Sequence, residues 1–156
     1  MPFFRTNIYQ IKGLKMYSLE KFILHKHDAK TAGLHWDFRV SIPNRDLLAS
    51  FAIPKARIPQ NSGDKVLLVR TSDHGRYWLN IENMTIPDGE YGAGEITTLQ
   101  KGVCEIEGWS NNHITFVVHG DRNTEYFNGR YALIKFKGSK THDRENLWVL
   151  VKTKKQ

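Results

Sequence analysis

The feature that most constrains this chain is Leu34-His35-Trp36-Asp37-Phe38-Arg39-Val40, where apolar and polar side chains alternate without a break. A strand sends successive side chains to opposite faces, whereas a helix would scatter the same residues around its circumference. As a strand, the segment has one wholly apolar face, Leu34, Trp36, Phe38 and Val40, which belongs to the core. His35, Asp37 and Arg39 share the other face. Apolar Phe22 to Leu24 lies just upstream, and shorter strand-like runs occupy residues 34–41, 47–53, 66–71, 77–82, 95–99, 103–107, 114–119, 131–137 and 147–152. Turn formers separate them, notably Pro43-Asn44, Pro59 to Asp64, Pro87-Asp88-Gly89, Ser110 to Asn112 and Gly138-Ser139. Many short strands with this punctuation predict a mainly β fold. A closed or nearly closed β-barrel is expected, because closure removes the edges that short strands expose. Little helix is expected beyond a turn or two over 17–21, with Ser18 as its N-cap.

The length of 156 residues fits one domain spanning 1–156, with 1–18 as an N-terminal arm and 152–156 as a basic tail. With 40% apolar and 25% charged residues the chain can build a core, which excludes wholesale disorder. The single cysteine, Cys104, excludes an intrachain disulfide and any CxxC zinc site, and a reducing, cytoplasmic location is expected. Cys104 alternates with Ile106 and is expected to be buried. No signal-like or membrane-spanning apolar stretch is visible, so no membrane partner is expected. Lys and Arg outnumber Asp and Glu by 23 to 16, a formal charge of +7. That excess suits an anionic partner such as nucleic acid, although a solvated basic surface is the plainer alternative.

Imidazole and carboxylate together suit a divalent transition metal. His35 and Asp37 supply both, and His27 can add a third ligand from across a loop containing Gly33. Arg39 can then fork onto two oxygens of a phosphate. The alternative is an ion-paired strand face worth roughly 0.2–1 kcal/mol per pair, with no chemistry. Two further features bear on the choice. His74 stands at a strand end just before Gly75, where site residues tend to sit. Residues 86–94 carry Gly89, Gly92 and Gly94, which permit positive φ or close backbone approach. His25, His113, His119 and His142 have no motif partner and are assigned structural or surface roles. Trp109 and Trp148 are assigned to the core or barrel rim.

The blocks Lys26-His27-Asp28-Ala29…Leu34-His35-Trp36-Asp37-Phe38-Arg39, Phe51-Ala52-Ile53-Pro54-Lys55, Asp73-His74 and Ile86-Pro87-Asp88-Gly89-Glu90-Tyr91-Gly92-Ala93-Gly94 together resemble the 3′-phosphoesterase domain of bacterial DNA ligase D and its stand-alone relatives. The likeness runs from about residue 21 to 94 and continues more weakly to 147–151, with no ligase or polymerase module attached. It implies a β-barrel with a crescent-shaped, polar active-site groove that trims nucleic-acid 3′ ends. The reaction expected is Mn²⁺-dependent removal of a 3′-phosphate to leave a 3′-OH, and the resemblance implies removal of a terminal ribonucleoside as a second family activity. By resemblance, His27, His35 and Asp37 are metal ligands, with Mn²⁺ expected and Zn²⁺ or Co²⁺ as alternatives. Arg39 holds the scissile phosphate, His74 is an essential histidine beside it, and Lys55 contacts phosphate. The expected partners are DNA or RNA/DNA primer–template ends, and a DNA ligase or end-joining factor.

The chain departs from the family pattern in places. Tyr77 is the candidate for the family's functional tyrosine and a catalytic residue, although it sits one residue closer to His74 than the family pattern and Trp78 occupies the register position. Val66 replaces an arginine for which Arg70 can substitute, and the N-terminal acidic and basic residues have no clear match in 1–18. Arg57, Arg70, Arg76, Lys101, Arg122 and Arg130 are candidates to hold duplex backbone, and an exposed Trp or Tyr is a candidate to stack on the terminal base. Two other readings remain open. One is a non-catalytic nucleic-acid-binding barrel, the other a metal-dependent barrel enzyme acting on a small phosphorylated molecule.

Overall fold

The computed structural model of the chain describes residues 8–12, 15–119, 125–136 and 146–154. The strands are β1 (Ile8–Lys12), β2 (Lys15–Ala29), β3 (Gly33–Ser41), β4 (Leu47–Ile53), β5 (Lys65–Gly75), β6 (Asn83–Ile86), β7 (Gly94–Trp109), β8 (His113–Val118), β9 (Gly129–Lys135) and β10 (Leu147–Lys152). One 3-10 helix, Arg76–Asn80, follows β5. Neighbouring strands run β2-β3-β4-β5-β10-β9-β8-β7, and β7 pairs back onto β2, closing an antiparallel ring of eight. The expected nearly closed barrel is therefore present. β1 and β6 are attached outside the ring, on β2 and β7. Among the described residues, no helix is long and apolar enough to cross a membrane.

The ring's interior is filled by side chains, as a barrel of this size requires. Phe38 lies at the centre of an aromatic cluster, with ring centroids 5.9 Å from Phe22, 6.3 Å from Phe51, 5.7 Å from Phe116 and 4.5 Å from Phe127. Trp148, Tyr131 and Cys104 are buried in the same core, and Trp109 packs against it. The Tyr131 hydroxyl donates to the Pro59 carbonyl at 3.0 Å, so its one polar atom is satisfied. Because the interior is full, any groove must lie on the outer face of the ring. Strand alternation puts His35, Asp37 and Arg39 there, opposite Phe38 and Val40.

Several sequence expectations are corrected. Residues 17–21 are not helical but part of β2, where Ser18 and Glu20 face Ile106 and Cys104 of β7. Sheet pairing on both sides overrides local helix preference here. The run 77–82 is not a strand: its first residues form the 3-10 helix, and the chain re-enters the sheet only at β6. The runs 95–99 and 103–107 are one continuous strand, β7. Leu34 is not in the core but 52% exposed, because this end of β3 runs beyond the packed interior. Of the N-terminal arm, β1 and the start of β2 lie in the sheet, and Lys152 of the basic tail belongs to β10. Arg122, Gly138-Ser139 and His142 lie outside the described residues.

The seam that closes the ring depends on Gly94. Its φ is +142°, and a Cβ there would stand 2.1 Å from the Asp28 carbonyl oxygen and 2.9 Å from the Ala29 Cα. Gly63 also has positive φ, +87°, but nothing lies within 4 Å of its added Cβ. Gly94→Ala is expected to cost roughly 2–4 kcal/mol, combining backbone strain with overpacking. Gly63→Ala is expected to cost about 1–2 kcal/mol from φ alone. Urea unfolding of the two variants measures the difference, and equal losses would show that the seam tolerates the methyl group.

Candidate active site

β2 and β3 pair in register His25↔Asp37 and His27↔His35, which brings four polar side chains together on the outer face. The cluster converges on one atom. Asp37 Oδ2 lies 3.5 Å from His27 Nδ1, 3.3 Å from His35 Nε2 and 3.8 Å from Arg39 Nη2. Backbone carbonyls set the imidazole tautomers. His27 Nε2–H donates to Gly92 O at 2.7 Å, and His35 Nδ1–H donates to Gly33 O at 3.0 Å. Each ring therefore turns its remaining nitrogen toward Asp37.

Two imidazole nitrogens and a carboxylate facing one another are held together only by a cation between them, either a metal ion or a proton that turns each contact into a hydrogen bond. The three ligand atoms lie within 4.8 Å of one another. Ligands at about 2.1 Å around one ion stand roughly 3.0–3.4 Å apart, close to the two Asp37–imidazole separations. The donor set therefore fits a divalent transition ion, with Gly92 and Gly33 as the outer partners that orient metal-binding histidines. Burial alone would raise the Asp37 carboxyl, but hydrogen bonds from His27 and His35 and the charge of Arg39 outweigh it. Asp37 is thereby held well below the usual carboxylate range. The same hydrogen bond to Asp37 raises His35.

Arg39 is only 5% exposed, so its charge is expensive unless compensated. Asp37 supplies one compensation, and Trp78 supplies another: its ring lies 4.4 Å from the guanidinium carbon. A third comes from His25, whose Nδ1 accepts from Arg39 Nη1 at 3.1 Å while its Nε2–H donates to Ile81 O at 2.9 Å. The Arg39 Nε is buried without a hydrogen-bond partner. The guanidinium is thus held rigidly beside the cluster with donor capacity to spare, as an oxyanion site requires.

His74 reaches this face through an irregularity. Leu48 pairs with His74 but Ser50 pairs with Thr71, so β5 spends one more residue than β4 between the two pairs. Strict alternation would put His74 on the face of Leu68, inside the ring. The bulge turns it outward, beside Thr71 and Ser72. A second bulge lies between Leu24 and His25, whose β7 partners are Gln100 and Thr98. His74 Nδ1–H donates to Ser72 O at 2.7 Å, and its ring meets Trp78 edge-on at 5.4 Å. Burial and the nearby Arg39 lower its pKa.

His27, His35, Asp37, Arg39 and His74 all line one groove of about 730 Å³, walled on the far side by Trp78, Ile86 and the turn through Tyr91 and Gly92. Two expected site residues are not among its lining. Lys55 is exposed in the turn after β4, next to Pro54, which does line the groove. Tyr77 is 66% exposed, and Trp78 takes the inward place. His25, assigned a structural or surface role from sequence, is wholly buried and positions Arg39. The signal for it was available: His25 and His27 are two apart on one strand and share a face. Five of the basic residues expected to hold duplex backbone form ion pairs within the chain, Arg57 with Asp64, Arg70 with Asp73, Arg76 with Asp46, Lys101 with Glu82 and Arg130 with Glu107.

A family profile described as the DNA Ligase D 3′-phosphoesterase domain matches residues 25–135. The chain belongs to this family. It is 35% identical over 131 residues to the multifunctional non-homologous end joining protein LigD of Mycolicibacterium smegmatis, covering 76% of this chain and 16% of that relative. It is 30% identical over 141 residues to the LigD of Pseudomonas aeruginosa, covering 87% of this chain and 15% of that protein. The chain therefore spans about one-sixth of the length of these relatives. The profile covers each of the groove residues, from His27 to Ile96.

The cluster geometry sets an expectation for cation binding. Calorimetric titration with Mn²⁺ should show one site per chain, weakened by more than about 100-fold in Asp37→Ala. Arg39→Gln, which removes a positive charge beside Asp37, should bind the ion at least as tightly as the unaltered chain. Undiminished binding in Asp37→Ala would remove this cluster as the cation site.

Proposed function

We propose that the chain is a divalent-metal-dependent 3′-phosphoesterase that heals nucleic-acid ends by removing a terminal 3′-phosphate to leave a 3′-OH. The observation that carries this reading is the convergence of two imidazole nitrogens and a carboxylate on one point, with the buried Arg39 guanidinium directly beside it. The family description supports the reaction class, and the end-joining names of the relatives support DNA ends as the substrate, with a ligase or end-joining factor using the product. Mn²⁺ is the proposed ion, held by His27, His35 and Asp37.

A phosphate monoester resists hydrolysis because its charge repels the nucleophile and its alkoxide leaves poorly. When bound, a divalent ion neutralises phosphate charge and makes coordinated water easier to deprotonate. Arg39 donates from its fork to phosphate oxygens, and because His25 and Trp78 already fix it, little reorganisation is needed as charge develops. His74, neutral in the free groove through burial and Arg39, gains an opposite charge when a phosphate dianion enters, which favours its protonated form. It then donates from Nε2 to the phosphate or the leaving 3′-oxygen, while Ser72 O keeps the ring aligned. Trp78 takes the place of the family tyrosine, and Lys55 meets the adjoining strand backbone from its exposed turn. The phosphomonoesterase step needs only these groups, so it is proposed ahead of ribonucleoside removal.

The test uses 5′-labelled primer–templates ending in a 3′-phosphate or in one ribonucleotide, incubated with Mn²⁺ or EDTA. The 3′-phosphate should be converted to 3′-OH only with Mn²⁺. His74→Ala should slow this by roughly 10²- to 10⁴-fold while retaining the ion, and Asp37→Ala should lose both. Conversion that persists in EDTA or in Asp37→Ala would contradict the reading. Binding without conversion would favour a non-catalytic nucleic-acid-binding barrel.

A further inference from the structure

The groove is more apolar than a phosphate alone requires. Beyond the cation cluster and Arg39, its walls include Ala32, Leu34, Pro54, Ile86 and Tyr91. Phosphate is recognised by donors and charge, whereas apolar walls next to a few polar groups mark the site of a larger, carbon-rich group. Tyr91 is the extreme member of this set, fully exposed at 101%, and Leu34 is 52% exposed. A large apolar ring left wholly in water beside a polar centre contributes little to this chain's own core.

The backbone beneath Tyr91 is nevertheless tightly fixed. Glu90 N–H donates to Pro87 O at 3.2 Å and Ala93 N–H to Glu90 O at 3.1 Å, making two successive turns. Gly89 and Gly92, at φ +87° and +78°, flank the tyrosine closely and supply conformations that other residues rarely adopt. The turn is fastened to the β2–β3 connection by Lys30 N–H to Ala93 O at 2.9 Å and by the Lys30–Asp88 ion pair. Gly92, the very next residue, supplies the carbonyl that orients His27. A rigid backbone therefore presents a free ring one residue away from a direct bond to the cation cluster. A tyrosine has few torsions to freeze, so a flat partner can settle on it at little entropic cost.

We propose that Tyr91, together with Leu34, is a stacking platform for the nucleobase of the terminal nucleotide whose 3′-phosphate is held at Arg39. The site then recognises a nucleoside 3′-phosphate end rather than phosphate alone. It accepts any base, since every base offers a flat face and no base-specific donor is needed. This rests on the 3′-phosphoesterase reading for the placement of the phosphate.

The test measures Kd by fluorescence anisotropy with Mn²⁺ present, in a His74→Ala background that suppresses turnover. The probes are a labelled primer–template ending in a thymidine 3′-phosphate and the same duplex ending in an abasic sugar 3′-phosphate. Tyr91→Ala should weaken binding of the thymidine end on the order of tenfold, and Tyr91→Phe should stay within about twofold of the parent. On the abasic end, the parent and Tyr91→Ala should bind alike. Equal affinity of parent and Tyr91→Ala for the thymidine end, or an equal loss on both ends, would overturn the platform. Turnover of the unaltered chain is followed separately. Hydrolysis with base-independent Kd overturns the platform alone, whereas base-dependent Kd without hydrolysis supports the platform and overturns the phosphoesterase reading.

Discussion

The site depends on one buried carboxylate. Asp37 Oδ2 is the common neighbour of His27, His35 and Arg39, and an ionised carboxylate in that position is tolerable only because all three are there. The dependence is mutual: Arg39 is equally buried, and without Asp37, His25 and Trp78 its charge would be stranded. The cluster is therefore a set of groups that hold one another in costly positions, with an orphaned Arg39 Nε as residual donor capacity. A structural ion pair on a strand face would need neither the two tautomer-fixing carbonyls nor the stack on Trp78. The geometry favours the chemical reading over the inert one.

The barrel explains why the groove is built as it is. A ring of eight strands fills its interior with side chains, so depth on the outer face must come from something laid over it. The 3-10 helix, the link at Ile81 that leads into β6, and the 87–93 turn provide this wall, and each is tied to the cluster by one specific contact. Ile81 O fixes His25, Trp78 covers Arg39, and Gly92 O fixes His27. The bulges at Leu24/His25 and Leu48/Ser50 adjust the sheet at the same place. These irregularities have a single effect, which is to aim side chains that regular alternation would send elsewhere.

That pattern also explains what the sequence shows and what it conceals. Alternation over 34–40 is legible because it is local, and it places His35, Asp37 and Arg39 on one face. The runs 47–53 and 147–152 coincide with β4 and β10 for the same reason. Leu34 breaks the pattern because burial depends on where the core ends, which alternation does not encode. The outward turn of His74 depends on a β4–β5 pairing that is long-range, as does the union of 95–99 and 103–107 in β7. The spacing of His25 and His27 puts both on one face, but the orientation of the His25 ring is set by Ile81, 56 residues away, which no local motif announces. The place of Trp78 likewise follows from the 3-10 helix that replaces the expected strand.

The central claim is that a cation at His27, His35 and Asp37 and a phosphate at Arg39 occupy one site. Paramagnetic broadening of the ³¹P resonance of inorganic phosphate by the Mn²⁺-loaded protein tests this directly, because the effect falls steeply with the Mn–P distance. Strong broadening is expected for the unaltered chain, lost in Asp37→Ala and much reduced in Arg39→Ala. Broadening no greater than that from the same concentration of free Mn²⁺, or unchanged in both variants, would contradict the account.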